Sequence, residues 1–188
     1  VTSIDSLHPV RLPGRRCLLR EWDDADLVTL HPLISDPRVV ERVLDEAPPS
    51  LAEIRAALPA WRRAAQEAPR LSYRLVAVSA DRLVGLGTLT VTSPEHRRGE
   101  IGYVIHPDHW GRGLGTEIAG LLLRLAFAQV GLHRVEATAR PDHVASWRVL
   151  EKVGMRREGS SRDHLFVRGA WWDSVRYGVL ATDRWPAG

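Results

Sequence analysis

Glu100-Ile101-Gly102-Tyr103-Val104-Ile105-His106-Pro107, running through Asp108 and His109 into Trp110-Gly111-Arg112-Gly113-Leu114-Gly115-Thr116, decides how this chain is read. The stretch reads as a strand, a turn with a glycine at every second position, and the start of a long helix. Glycines at 111, 113 and 115 let the backbone approach a ligand closely and adopt conformations closed to residues with a Cβ. The helix behind the turn aims its first N–H groups and the positive end of its dipole into the loop, which suits an anion such as a pyrophosphate. A phosphorylated ligand is expected here. Taken alone, the same residues also fit a glycine-rich turn that merely joins a strand to a helix.

Two familiar phosphate loops fail on spacing. A P-loop needs a lysine directly after its last glycine, and the only lysine of the chain is Lys152. The dinucleotide fingerprint places its third glycine three residues after the second, whereas Gly115 follows Gly113 by two. The pattern instead resembles the acyl-CoA loop of the GNAT acetyltransferases, Gln/Arg-x-x-Gly-x-Gly/Ala, with Trp110 in the Gln/Arg place and Gly113 and Gly115 as the glycines. The tryptophan departs from the general motif. It is similar to the branch of ribosomal-protein N-terminal acetyltransferases (the RimJ/RimL type), where Trp-Gly-x-Gly-x-Ala/Gly-Thr is usual.

A second segment points the same way. Pro141-Asp142-His143-Val144-Ala145-Ser146-Trp147-Arg148-Val149-Leu150-Glu151-Lys152-Val153-Gly154-Met155 resembles the family's Asn-x-Ala-Ser-x-Arg-x-Leu-Glu-Lys-x-Gly-Phe. Arg156-Arg157-Glu158-Gly159, His164-Leu165-Phe166-Val167 and Trp172-Asp173 with Tyr177 look like the tail of this branch. The resemblance covers about residues 15–182, is strongest over 100–154, and implies a single acetyltransferase domain across 1–188.

Composition sets outer bounds. A length of 188 residues suits one domain with its own core, and 44% hydrophobic with 26% charged residues is ordinary for a globular protein. No apolar run approaches the ~20 residues of a membrane span, and residues 1–20 lack the unbroken apolar stretch of a signal peptide. One cysteine, Cys17, excludes an internal disulfide and a multi-cysteine zinc site, so no metal is expected and the compartment read is cytoplasmic. The formal charge is only +3, and no basic run or nucleic-acid motif occurs. Neither nucleic acid nor membrane is expected as a partner, and a homodimer is left open. Arginine-rich surface would suit an anionic cofactor or an acidic partner.

Periodicity predicts a mixed α/β order without repeating parallel units. Residues 15–20 read as a first strand, followed by a helix capped at Asp23 or Asp24 that carries Leu27, Leu30 and Leu33. Ser50 with Glu53 forms a capping box for a helix to Glu67, kinked or broken at Pro59. Strands are expected at 73–78 and 83–91 around the Ala80-Asp81-Arg82 turn, then at 100–105. A helix over 116–130 ends at Gly131; a strand at 135–139, a helix over 145–153 ending at Gly154, and strands at 165–167 and 174–180 complete the order.

The family's fold is the GNAT acyl-CoA N-acyltransferase fold, an α/β arrangement whose twisted, mostly antiparallel sheet is flanked by helices. The resemblance implies that its fourth strand (100–105) and fifth strand (135–139) splay apart to admit acetyl-CoA. Main-chain groups of Val104 and Ile105 would then meet the pantetheine arm. The amides of Gly111, Arg112, Gly113, Leu114, Gly115 and Thr116 would meet the pyrophosphate, and Arg112 would add either a side-chain charge or only a solvated surface group. His143 stands at the asparagine that usually bonds the pantetheine, and surface or cap duty is equally open to it.

Acetyl transfer by direct attack of an amine on the thioester needs a proton acceptor, a donor to the developing oxyanion, and stabilisation of the departing thiolate. Glu100 is the candidate base and should be partly buried for that work; the alternative is a strand-end glutamate paired to Arg97 or Arg98. A backbone N–H near Ile105 would serve the oxyanion. Many family members place a tyrosine proton donor where this chain has Leu150, which cannot donate. Ser146 falls where the branch carries a serine facing the sulfur, although local backbone bonding fits it too. His106 and His164 are alternative bases that also read as structural. Trp110, Trp147 and Trp172 read as core or cleft-wall aromatics.

The implied function is an acetyl-CoA-dependent N-acetyltransferase, with a protein N-terminal α-amine as acceptor. A small-molecule amine such as an antibiotic or polyamine is the alternative, which an acidic cleft would favour; Asp45-Glu46 are two acids near the expected acceptor side. A silent acyl-CoA-binding module is a third reading, left open by Leu150 and His143.

Overall fold

The computed structural model of the chain describes residues 9–43 and 48–185. It contains one eight-stranded sheet: β1 (Arg11–Pro13), β2 (Leu18–Arg20), β3 (Ser72–Ser79), β4 (Arg82–Ser93), β5 (Arg98–Ile105), β6 (Arg134–Ala139), β7 (Arg156–Val167) and β8 (Ala170–Leu180). Their spatial order is β1-β2-β3-β4-β5-β6-β8-β7, and only the β5–β6 pair is parallel. The helices are α1 (Leu27–Ser35), α2 (Pro37–Val43), α3 (Leu51–Gln66), α4 (Leu114–Arg124) and α5 (Val144–Lys152).

Local chemistry accounts for the best-defined boundaries. Ser50 accepts the Glu53 N–H at 3.3 Å while the Glu53 carboxylate accepts the Ser50 N–H at 2.7 Å, closing the capping box of α3. Pro59 does not break this helix, which runs unbroken to Gln66. Ala80 and Asp81 both take positive φ, as a two-residue hairpin that follows the sheet's right-handed twist requires. α4 begins two residues earlier than expected and passes into a π-helical turn, Leu125–Gln129, before Gly131.

Of the segment expected as a strand over 15–20, only Leu18–Arg20 is strand (β2), and an unexpected strand, β1, precedes it and pairs with it. The Gly14 N–H bonds to the Cys17 carbonyl at 2.9 Å and turns β1 back onto β2. The strand that carries Glu100 is therefore the fifth, not the fourth, and Val135–Ala139 lies in the sixth. β7 and β8 are also much longer than the expected 165–167 and 174–180, because they form one hairpin. Asp45 and Glu46 lie outside the described residues.

Two apolar clusters cover the two faces of the sheet. On one, Ile118, Leu122, Leu123 and Leu125 are fully buried against Leu19, Tyr73, Leu89 and Val135. Burial of each such side chain contributes about 1.5–3 kcal/mol. On the other, Leu27, Leu30 and Leu33 of α1 and Ile54 and Leu58 of α3 pack on Val76 and Leu83. The alternation of β5 is fixed by these clusters: Tyr103 and Ile105 pack with the α4 cluster, Val104 with the α1–α3 cluster. Glu100, even-numbered like Val104, belongs to the α1–α3 face.

Candidate active site

The glycine turn has the backbone conformation that an anion cradle requires. Gly111 and Gly113 have φ of 74° and 80°, and Gly113 is the left-handed N-cap of α4. The first helical bond formed there runs from the Glu117 N–H to the Gly113 carbonyl at 3.1 Å. The amides of Leu114, Gly115 and Thr116 precede it and lack an intrahelical acceptor, as at any helix start. Gly111, Arg112 and Gly113 are exposed. Gly115 serves a different purpose: a Cβ there would lie 3.2 Å from Val149 of α5 and 3.8 Å from the Tyr103 ring.

Sequence reasoning missed one cation beside this cradle. Glu117, in the first turn of α4, accepts the backbone N–H groups of Arg16 at 2.6 Å and of Cys17 at 3.1 Å, pinning the β1–β2 turn to the helix. This places the Arg16 guanidinium carbon 3.8 Å from the position a Gly113 Cβ would occupy. Burial, reinforced by Glu117, pushes the Cys17 thiol up to about 12, so it stays protonated and unreactive near neutral pH.

β5 and β6 part immediately after they meet. Their ladder covers Arg98↔Arg134, Gly99↔Val135 and Glu100↔Glu136, after which β6 continues along β8 as far as Ala139↔Val175. The phase of β5 follows from the His106 N–H, which bonds to the Val84 carbonyl at 2.9 Å. Antiparallel bonding alternates by residue, so Val104, paired with Leu86, also directs its main-chain groups to β4. The expectation that Val104 offers them to a ligand is corrected on this ground. Tyr103 and Ile105 direct theirs into the split, where the Trp110 indole N–H already donates to the Ile105 carbonyl at 2.9 Å. Trp110 is thus a clamp between strand and loop.

An open cleft of about 1130 Å³, solvent mouth included, fills the split. Glu100 lines it together with Thr138, Arg140, His143, Ser146 and Ser174. The Glu100 carboxylate accepts the Thr138 hydroxyl at 3.3 Å, not a bond from Arg97 or Arg98 as in the alternative reading, and the residue is exposed rather than partly buried. Its cross-strand neighbour Glu136 is held by Arg134 at 2.9 Å. Arg140 chelates Asp142 at 2.7 and 3.0 Å, stacks 3.8 Å from the centre of the Trp172 ring, and donates to the Glu41 carbonyl at 3.2 Å. Trp147 donates to the Arg140 carbonyl at 3.0 Å. These contacts tie α2 and β8 to the cleft rim.

His143 is the N-cap residue of α5 and lines the cleft. The two other histidines divide. His164 bonds Ser174, a buried cleft residue, at 3.0 Å, whereas His106 accepts the Asp108 N–H at 3.3 Å in the turn before the loop. Ser146, in the first turn of α5, meets an unexpected partner: the Tyr103 hydroxyl lies 3.1 Å from its Oγ and 3.3 Å from its carbonyl oxygen. Burial pushes the Tyr103 phenol up to about 12, against a smaller lowering by Ser146. Leu150 is buried hydrocarbon at the base of the cleft.

The model of the acetyltransferase (GNAT) domain matches residues 16–156. The chain belongs to the GNAT acetyltransferases. It is similar to RimJ of Mycobacterium smegmatis, solved with CoA-disulfide, at 26% identity and a TM-score of 0.78, over 93% of this chain and 88% of that one. It is 38% identical to the N-acetyltransferase YnaD of Bacillus subtilis over 43% of this chain and 48% of that one. It is 26% identical to a spermidine N(1)-acetyltransferase of Escherichia coli over 49% of this chain and 50% of that one. The alignments to these two curated relatives thus span about half of their length. The chain is thus an acyltransferase by family, and it is similar to members of the RimJ/RimL-like branch.

This GNAT chain fits the CoA part of the family's donor on its own geometry: cradle amides for a pyrophosphate, and the inward-facing main chain of Tyr103 and Ile105 for an extended amide arm. Among the described residues, no cluster of three or more His, Cys, Asp or Glu side chains is placed to hold a metal ion. No described helix is long and apolar enough to cross a membrane.

Proposed function

We propose that the enzyme transfers the acetyl group of acetyl-CoA to the α-amine of a protein N-terminus. The observation that carries this reading is the charge of the cleft. Among the described residues its lining offers one carboxylate, Glu100, beside Arg140 and His143. One carboxylate serves one amine and leaves the second and third cations of a polyamine without a partner in this lining. Acetyl-CoA supplies an acetyl group already activated as a thioester. Glu100 accepts the proton of the acceptor ammonium, directly or through a water, a role worth about 10²–10⁴ in rate. The Ile105 N–H faces the split and donates to the carbonyl oxygen as negative charge develops there. The amine attacks the thioester carbonyl directly, and the Ser146 hydroxyl donates to the leaving sulfur.

The polyamine reading has its own support in the spermidine acetyltransferase relative. Release of CoA from acetyl-CoA, measured against N-terminal peptides and against spermidine, separates the two. Peptide-dependent release with no response to spermidine is expected. Response to spermidine alone overturns the proposal, and CoA binding without release from either acceptor points to a binding module.

A further inference from the structure

Two hydroxyls meet where β5 passes the first turn of α5, and the mechanism above uses only one of them. The Tyr103 ring is on the α4 face of the sheet, beside Gly115, and its hydroxyl is within 3.1 Å of Ser146 Oγ and 3.3 Å of the Ser146 carbonyl oxygen. A carbonyl only accepts, so the phenol proton has two destinations, both on Ser146. When it goes to Oγ, the serine's own proton must point away from Tyr103. Both residues line the cleft, so the direction left to that proton includes the cleft interior.

We propose that Tyr103 is a positioning residue for the leaving sulfur: it donates to Ser146 Oγ and thereby turns the Ser146 proton toward the thiolate. The proposal rests on the reading of Ser146 as the sulfur's donor. From the strand, Tyr103 supplies the phenol that buried Leu150 cannot supply from the helix. The pair donates hydrogen bonds and does not give up a proton. A phenol held at about 12 is a far weaker acid than a thiol of pKa ~8.5, so proton transfer from Tyr103 to the thiolate runs uphill. The electron pair of the broken C–S bond stays on sulfur, and the acceptor nitrogen loses two protons, one from the ammonium before attack and one as the tetrahedral adduct collapses, each taken by Glu100 and passed on to water. Each link of a hydroxyl chain polarises the next, so the phenol strengthens the serine as a donor.

The test is the acidity of the CoA thiol bound to the intact protein, followed by ultraviolet thiolate absorbance across pH. Ser146→Ala is expected to raise the apparent pKa of the bound thiol by about one pH unit, the effect of losing one hydrogen bond to a charged group. Tyr103→Phe is expected to raise it by about half as much, and to add nothing in the Ser146→Ala background. Desulfo-CoA affinity should stay within about twofold in all variants, which reports an intact fold. Site-specific 3-fluorotyrosine at 103, a stronger donor of nearly the same shape, should lower the bound thiol pKa. A shift with Ser146→Ala but none with either change at 103 overturns the role of Tyr103 alone. An undiminished Tyr103→Phe shift in the Ser146→Ala background also overturns it. No shift with Ser146→Ala overturns the sulfur reading of Ser146 and the proposal with it.

Discussion

The two faces of the sheet are held by different means. On the α4 face, one continuous apolar cluster takes in residues from Val10 to Val179, with Ile118, Leu122 and Leu123 fully buried in it. On the α1–α3 face the apolar cluster is smaller, and arginines supply much of the attachment. Arg20 grips Asp26 with two bonds of 2.8 and 2.9 Å, and Arg140 and Arg168 reach the α2 carbonyls of Glu41 and Val40. The lesson is a division of labour. A packed hydrocarbon face fixes the cradle and the donor side of the split, whereas polar contacts shape the acceptor side.

That comparison breaks most visibly in the core. Leu122→Ala should cost about 3 kcal/mol of stability in urea denaturation and weaken CoA binding with it, because α4 carries both the core and the cradle. Leu33→Ala, equally buried on the opposite face, should cost a similar amount yet leave CoA affinity intact. Equal losses of CoA affinity in the two variants would remove the distinction between the faces.

Gly113→Ala comes next. At φ 80° a Cβ introduces about 1–2 kcal/mol of backbone strain, and isothermal titration should show CoA binding weakened about tenfold. Unchanged affinity would mean that the cradle does not meet the donor.

A smaller effect belongs to alkaline pH. The Tyr103 phenol ionises near 10 when unfolded and about 12 when folded. Its contribution is full below pH 10 and is lost as pH rises through the window between these values, because the unfolded chain gives up the proton first. The wild type should lose about 1 kcal/mol from this source by pH 11, and Tyr103→Phe should lack that component in denaturation curves taken between pH 9 and 11. The smallest effect is expected on the acceptor rim. Arg168→Ala, which frees the β7–β8 turn from Val40, should raise the peptide KM about two- to threefold with CoA affinity unchanged.

The same contrast explains what the sequence disclosed. The α4 face was legible because apolar residues recur there at helical spacing, and the capping box of Ser50 and Glu53 because its partners are three residues apart. The glycine turn was legible from its alternate-residue spacing before a helix, whereas Ser146 was singled out only through the family resemblance. The contacts that define the cleft were not. Thr138 and Glu100 are 38 residues apart, Tyr103 and Ser146 are 43, and Arg16 and Glu117 are 101. Such pairs leave no local period to read. Nor does the side-chain alternation of β5 say which neighbouring strand takes the bonds of Val104; that needed the register with β4. β1 went unread because a strand of three residues leaves too little alternation to read.

The division of labour is tested most directly by Glu100→Gln, with CoA affinity and peptide-dependent turnover measured on the same preparation. The prediction is turnover reduced at least about 100-fold with CoA affinity unchanged. Unchanged turnover, or turnover and CoA affinity falling together, would contradict the assignment of Glu100 to the amine and of the α4 face to the donor.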